Sequence, residues 1–235
     1  VAKAAMDSGV ARKHITDWNA YKNQLRQLLG QETKLTQKLY DTARNHPQRV
    51  VFAEAVHPTM LKAAVQAKAE GICRPILLGN DETIEKLAKS LDLNIDGIEI
   101  VNLRHPREQE RRERYAHILT QKRQRDGYTF QEANDKMFER NYFGMMMVET
   151  GEADAFITGL YTKYSNTIKV ANEVIGIRPE YKHFGTMHII NSAKGTLYLA
   201  DTLINQDPQA EELVDIAKLS ANAVRFFNET PNIAM

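Results

Sequence analysis

Residues 158–167 (Thr-Gly-Leu-Tyr-Thr-Lys-Tyr-Ser-Asn-Thr) carry the hydroxyl and amide types that hold anions. An apolar run at 153–158 precedes them and reads as a strand ended by Gly159, while Ile168, Ala171, Val174 and Ile175 follow at helical spacing. A strand's carboxyl end therefore meets a helix amino terminus, where amide N–H groups and the helix dipole attract negative charge. Thr162, Ser165, Asn166, Thr167 and the cation Lys169 would supply side-chain partners. The same residue types also cap helices, so the run is either a phosphate cradle or an ordinary N-capping loop.

Other chemistry is sparse. The chain has no Gly-x-Gly-x-x-Gly, no P-loop, no Gly-x-Ser-x-Gly elbow and no His-Glu-x-x-His. His57 and His188 have no ligand at metal spacing, so no metal site is expected. Asp201, Asn205 and Asp207 follow an apolar run and serve either a ligand or a turn before Pro208.

A charge of only +1 gives no global attraction to nucleic acid or membrane, and neither partner is expected. With 43% hydrophobic and 26% charged residues, the 235-residue chain can bury a substantial core in one or two domains. Cys73 is the only cysteine, which excludes an intrachain disulfide and suits a reducing compartment. No apolar run approaches the roughly 20 residues that span a bilayer, and the expected location is the cytoplasm.

The elements that must position the loop alternate from Arg49 onward. Residues 50–55 read as a strand, Pro58 opens a helix with Leu61, Ala64 and Val65 inward, and 74–79 form a second strand parallel to the first. Asp81 is expected to cap a helix through Ile84, Leu87 and Ala88, followed by a strand at 98–103. Such alternation predicts an open α/β sheet covered on both faces. Between Arg104 and Arg125, eight Arg or Lys residues face three Glu while Tyr115, Ile118 and Leu119 make an apolar stripe. This basic helix either presents a solvated face or brings Arg123 and Arg125 to a phosphate. Helices at 129–141 and at 145–150 should follow, with Met145, Met146 and Met147 in the core.

Farther on, 184–191 and 196–203 have the spacing of a hairpin-like pair, Pro208 opens a long helix, and 232–235 looks like the start of a strand cut short. At the other end, residues 1–9 read as the close of another domain's helix. Trp18, Tyr21, Leu25 and Leu28 form an apolar seam after Thr16 or Asp17, and a short helix at 35–45 leads into the first strand.

Residues 153–159 (Ala-Asp-Ala-Phe-Ile-Thr-Gly), the loop to Lys169, and 199–208 (Leu-Ala-Asp-Thr-Leu-Ile-Asn-Gln-Asp-Pro) resemble segments of phosphate acetyltransferases. Residues 1–12 are similar to the close of the cofactor domain in bacterial malic enzymes, and large hybrid NADP-dependent malic enzymes join the two. The resemblance implies a two-lobed phosphotransacetylase-like α/β fold of the isocitrate/isopropylmalate dehydrogenase-like kind. Its parts would be a malic-enzyme tail at 1–17, a helical linker at 18–48, one lobe at 49–152 and a truncated second lobe at 153–235, with acetyl-CoA bound in a cleft between lobes. It also implies a regulatory role, homo-oligomers (dimer or hexamer), and NADP and a divalent metal in the malic enzyme domain. The implied acetyl-CoA and phosphate contacts are Arg123, Thr158, Gly159, Tyr164, Ser165, Asn166, Thr167 and Lys169. No catalytic residue is expected in this fragment, because the transferases' Ser, Arg and Asp belong to a segment after Met235. Lys169 departs from the transferases' Arg, and an ammonium lacks the bidentate fork of guanidinium. Tyr161 and Tyr164 stand where the transferases have smaller or imidazole side chains. The implied alternative is an active phosphate acetyltransferase.

Overall fold

A computed structural model describes residues 1–11, 13–18, 21, 25, 34–192 and 195–235. They form two compact units, Asp41–Lys182 and Val1–Tyr40 with His183–Met235. Ahead of the first sheet lie helices α1 (Ala2–Asp7) and α2 (Lys34–Asn45). Leu28 of the expected apolar seam lies outside the described residues, while Trp18 and Tyr21 meet edge-on with ring centroids 6.1 Å apart.

In the Asp41–Lys182 unit, β1 (Gln48–Phe52), β2 (Cys73–Leu78), β3 (Glu99–Val101) and β4 (Ala155–Ile157) make a parallel sheet of order β3-β2-β1-β4. Helices α3 (Pro58–Ala69) and α4 (Asp81–Ser90) connect the first three strands. Between β3 and β4 come α5 (Gln109–Arg123), α6 (Phe130–Lys136) and α7 (Arg140–Glu149), and α8 (Tyr164–Val174) follows β4. The chain steps outward from β1 to β3 and then returns to the other edge of β1. That reversal opens a crevice beyond the carboxyl ends of β1 and β4. β4 begins three residues after 152, the expected lobe division, and completes this same sheet.

Strand side chains alternate between faces, so both layers are apolar. Val51, Ile76, Leu78 and Val101 pack against Tyr115, Leu119, Phe143 and Met146, whereas Phe52 and Leu77 pack against Leu61, Ala64 and Ile84. Each large apolar side chain removed from water contributes about 1.5–3 kcal/mol. Met145, Met146 and Met147 are buried, as their spacing predicts. Gly144 is required where α7 crosses the sheet, because a Cβ there would run into the Phe156 ring of β4 and lie 3.1 Å from Leu78.

Local departures from the sequence expectations have definite causes. Asn80, not Asp81, caps α4, its Oδ1 accepting from Thr83 N at 3.0 Å, while Asp81 takes Arg107 at 2.8 Å. The helix expected over 129–141 stops at Lys136, opened by a reciprocal Thr129–Glu132 capping box. Ile175, expected inward, is the C-cap of α8 and exposed, so Val170 and Val174 carry the buried stripe.

In the other unit, β5 (Met187–Ser192) and β6 (Gly195–Ala200) pair as the expected antiparallel hairpin, and α9 (Ala210–Phe226) is the long helix, capped by Gln209. Asp201 accepts hydrogen bonds from Thr186 N at 2.9 Å and Asn205 N at 2.7 Å. Burial opposes its ionisation, but a hydrogen bond from the Thr186 hydroxyl together with these backbone bonds outweighs burial and holds its carboxyl at about 2. Residues 232–235, expected to start a strand, form none.

Candidate functional site

All four β-strands of the parallel sheet end toward one cavity of about 920 Å³, a volume that suits a sizeable ligand. Val56 follows β1, Gly79 and Asn80 follow β2, Asn102 to Pro106 follow β3, and Thr162, Asn166, Lys169 and Val170 follow β4. Lys136, Phe138 and the opening of α7 (Glu139, Arg140, Asn141, Tyr142) complete the wall. Helix amino termini therefore converge here, because parallel strands all end at the same edge of the sheet, where each following helix begins. Asn80 and His105 cap their own elements. Neither α7, behind Glu139, nor α8, behind Lys163, has a side-chain cap.

Charge reinforces those dipoles. Arg104, Lys136, Arg140 and Lys169 line the cavity against one carboxylate, Glu139. Lys136 and Lys169 share Glu173 at 3.9 and 3.8 Å, and Lys136 Nζ donates to Tyr142 Oη at 2.9 Å. Glu173 accepts hydrogen bonds from the hydroxyls of Tyr128 and Tyr142. Burial opposes its ionisation, yet the two phenols and Lys136 hold its carboxyl below the ordinary value. Burial and the Glu173 charge push Tyr128 up to about 12 and Tyr142 in the same direction. Arg104 and Arg140 differ from the two lysines, since neither side chain has a hydrogen bond or ion pair among the described residues. Two guanidiniums open to the cavity beside uncapped helix ends suit phosphate oxygens, which they can grip with paired N–H groups.

Buried polar groups brace this wall from behind. Arg112, 7% exposed, donates to Leu103 O at 2.7 Å and His105 O at 3.1 Å, with its guanidinium 4.6 Å from the Phe138 ring centroid. Glu54 is 1% exposed and takes the loop amides after β4. Leu160 N donates to Oε2 at 2.7 Å, Gly159 N to Oε2 at 3.1 Å and Tyr161 N to Oε1 at 2.9 Å. Gly159 has φ +126°, a conformation open to glycine but strained for other residues. Among the described residues, no three His, Cys, Asp or Glu side chains are grouped to hold a metal ion.

The family described as phosphate acetyl/butaryl transferase matches residues 34–235. The chain belongs to that family. It is 35% identical over 240 residues to an NADP-dependent malic enzyme of Salmonella typhimurium and 33% identical over 240 residues to one of Escherichia coli, covering all of this chain and 31% of each relative. A phosphate acetyltransferase of Synechocystis is 32% identical over 84% of this chain and 28% of its own length. The chain thus spans less than a third of these relatives. Among solved structures, EutD phosphotransacetylase from Staphylococcus aureus aligns with a TM-score of 0.73 at 26% identity, covering 84% of this chain and 58% of that one. The expected α/β phosphotransacetylase-like fold is therefore found.

In this transferase-family chain the residues expected at the site are distributed unevenly. Asn166 and Lys169 line the cavity. Thr158 stands behind it, its Oγ1 donating to the cavity residue Asn141 at 3.1 Å. Gly159 gives its amide to Glu54. Tyr164 and Ser165 are exposed on the first turn of α8, and the Thr167 hydroxyl is buried. Arg123 is not brought to the loop. Its Nε donates to Glu173 O at 2.7 Å and its Nη2 to Asn172 O, so it fastens the carboxyl end of α8. Of the two sequence readings of run 158–167, side-chain capping is excluded, because Lys163 is the N-cap and no hydroxyl takes that role. Sequence reasoning missed Asn80, Asn102, Arg104, Lys136, Arg140 and Glu54. The available signal for Asn80, Asn102 and Arg104 was their place immediately after strands of a parallel sheet.

Proposed function

We propose that this chain is an acetyl-CoA-binding regulatory and oligomerisation domain of a cytoplasmic NADP-dependent malic enzyme, and that it has lost transferase activity. The parent enzyme would decarboxylate malate oxidatively to pyruvate, with NADP and a divalent metal held in its malic enzyme domain. One observation carries the ligand reading: Arg104 and Arg140 face the cavity with no side-chain partner among the described residues, beside the uncapped openings of α7 and α8. The diphosphate of coenzyme A has the charge and oxygen spacing these groups serve. Lys169 is 66% exposed and already shares Glu173, which supports binding more than the tight phosphoryl grip that turnover needs. Homologous malic enzymes that match along the whole chain support the parentage. Regulation then requires acetyl-CoA to bind one state of the parent oligomer more tightly than another.

Calorimetry and malate-oxidation assays on the full-length protein test this together. Saturable acetyl-CoA binding with inhibition of malate oxidation is expected; no binding, or oxidation indifferent to acetyl-CoA, would sink it. Similarity to phosphate acetyltransferases is what supports a second reading, an active transferase. Robust formation of acetyl phosphate by the full-length protein would decide for it.

A further inference from the structure

Glu54 is buried without a cation among the described residues, and it does not line the cavity. A buried carboxylate is costly unless hydrogen bonds replace its hydration. The amides of Gly159, Leu160 and Tyr161 supply that replacement and engage both of its oxygens. The backbone they belong to leads directly into Thr162 and α8, which contribute Thr162, Asn166 and Lys169 to the cavity wall. Since the N-cap Lys163 makes no side-chain cap bond to α8, the backbone segment before it is what sets the start of that helix.

We infer that Glu54 is a positioning residue, whose carboxylate clamps the backbone at 159–161 and thereby holds the Thr162–Asn166–Lys169 wall in place for an anionic ligand. The ligand in this statement rests on the acetyl-CoA reading above, whereas the clamp does not. In Glu54→Gln the incoming NH2 would face an amide N–H, so at least one of the three bonds is lost. In Glu54→Asp the carboxylate is one methylene too short to reach all three.

Full-length protein and both variants can be compared by hydrogen exchange of peptides covering 159–161 and by acetyl-CoA calorimetry, with Arg49→Ala, at the opposite end of β1, as control. Exchange at 159–161 should quicken by about tenfold or more in the Glu54 variants without ligand. Acetyl-CoA affinity should fall by about tenfold. Arg49→Ala should leave both unchanged. Unaltered exchange at 159–161 would overturn the clamp. Faster exchange with wild-type affinity, or an equal affinity loss in Arg49→Ala, would overturn the positioning role. If Glu54→Gln fails to fold, Glu54→Asp carries the same readouts. A wild-type protein that binds no acetyl-CoA would count against the ligand reading instead, and exchange alone would then decide the clamp.

Discussion

The paired strands β1 and β4 are tied at both ends by a carboxylate, and the two ties are built differently. At the amino end Asp154 meets Arg49, whose Nη2 lies 2.7 Å from Oδ1 and whose backbone amide donates to Oδ2 at 2.8 Å, both side chains being partly exposed. At the carboxyl end Glu54 is buried and, among the described residues, bound only by backbone amides. The first tie uses a partly exposed cation and leaves water as a competitor; the second uses backbone donors and excludes it. The strand pair is thus fastened by an exposed ion pair at one end and by buried backbone bonds where a cavity wall begins.

The contrast is tested most strongly at the cavity itself. Arg140→Ala should weaken acetyl-CoA binding by about 10- to 100-fold, on the order of 1.5–3 kcal/mol for a charge-assisted contact, without changing the denaturation midpoint. Calorimetry alongside thermal melts separates the two effects, and a matching stability loss would mean that the guanidinium supports the fold instead. Between the two ends, Gly144→Ala places a methyl against Phe156 and Leu78. The gain in helix propensity of about 1 kcal/mol offsets part of the overpacking, leaving a net loss of about 1–2 kcal/mol in denaturant titrations. Lys169→Ala should cost only about threefold in affinity, because its ammonium is mostly exposed and shares Glu173, and added salt should shrink the difference.

The smallest effect belongs to Arg49→Ala, a stability loss present above pH 3.8 that fades in acid. Hydrogen bonds from the Arg49 side chain and backbone hold the Asp154 carboxyl at about 2, against an ordinary value of 3.8. A lowered folded-state value stabilises the protein above 3.8, and this contribution disappears as pH falls from 3.8 through about 2. Removing Arg49 should therefore flatten the acid dependence of stability in that window while leaving acetyl-CoA affinity unchanged. An affinity loss as large as that of Arg140→Ala would erase the distinction between the two ends.

Much of the sheet was legible because its signals are local. Val51, Ile76 and Val101 sit in short apolar runs, Pro58 opens α3, and Met145, Met146 and Met147 share a run long enough to bury. The candidate site was legible only where it lay within one segment, at Asn166 and Lys169. Arg123 misled for the same reason: a basic helix end before Gly127 looks free in sequence, but the carbonyls at 172 and 173 that occupy it are about 50 positions away.

The sequence by itself determined the alternation of strands and helices, the apolar faces that cover the sheet, and a polar strand-to-helix passage at 158–167, since each follows from spacing along a few turns of chain. Tertiary structure alone decided which anion the passage holds and which cations face the cavity. Glu54 is 105 residues from Gly159, and Arg104 and Arg140 come from the ends of different elements, so only the order β3-β2-β1-β4 brings them to one side. Long-range hydrogen bonds and charge leave no periodicity in sequence, because their partners are chosen by strand order rather than by spacing.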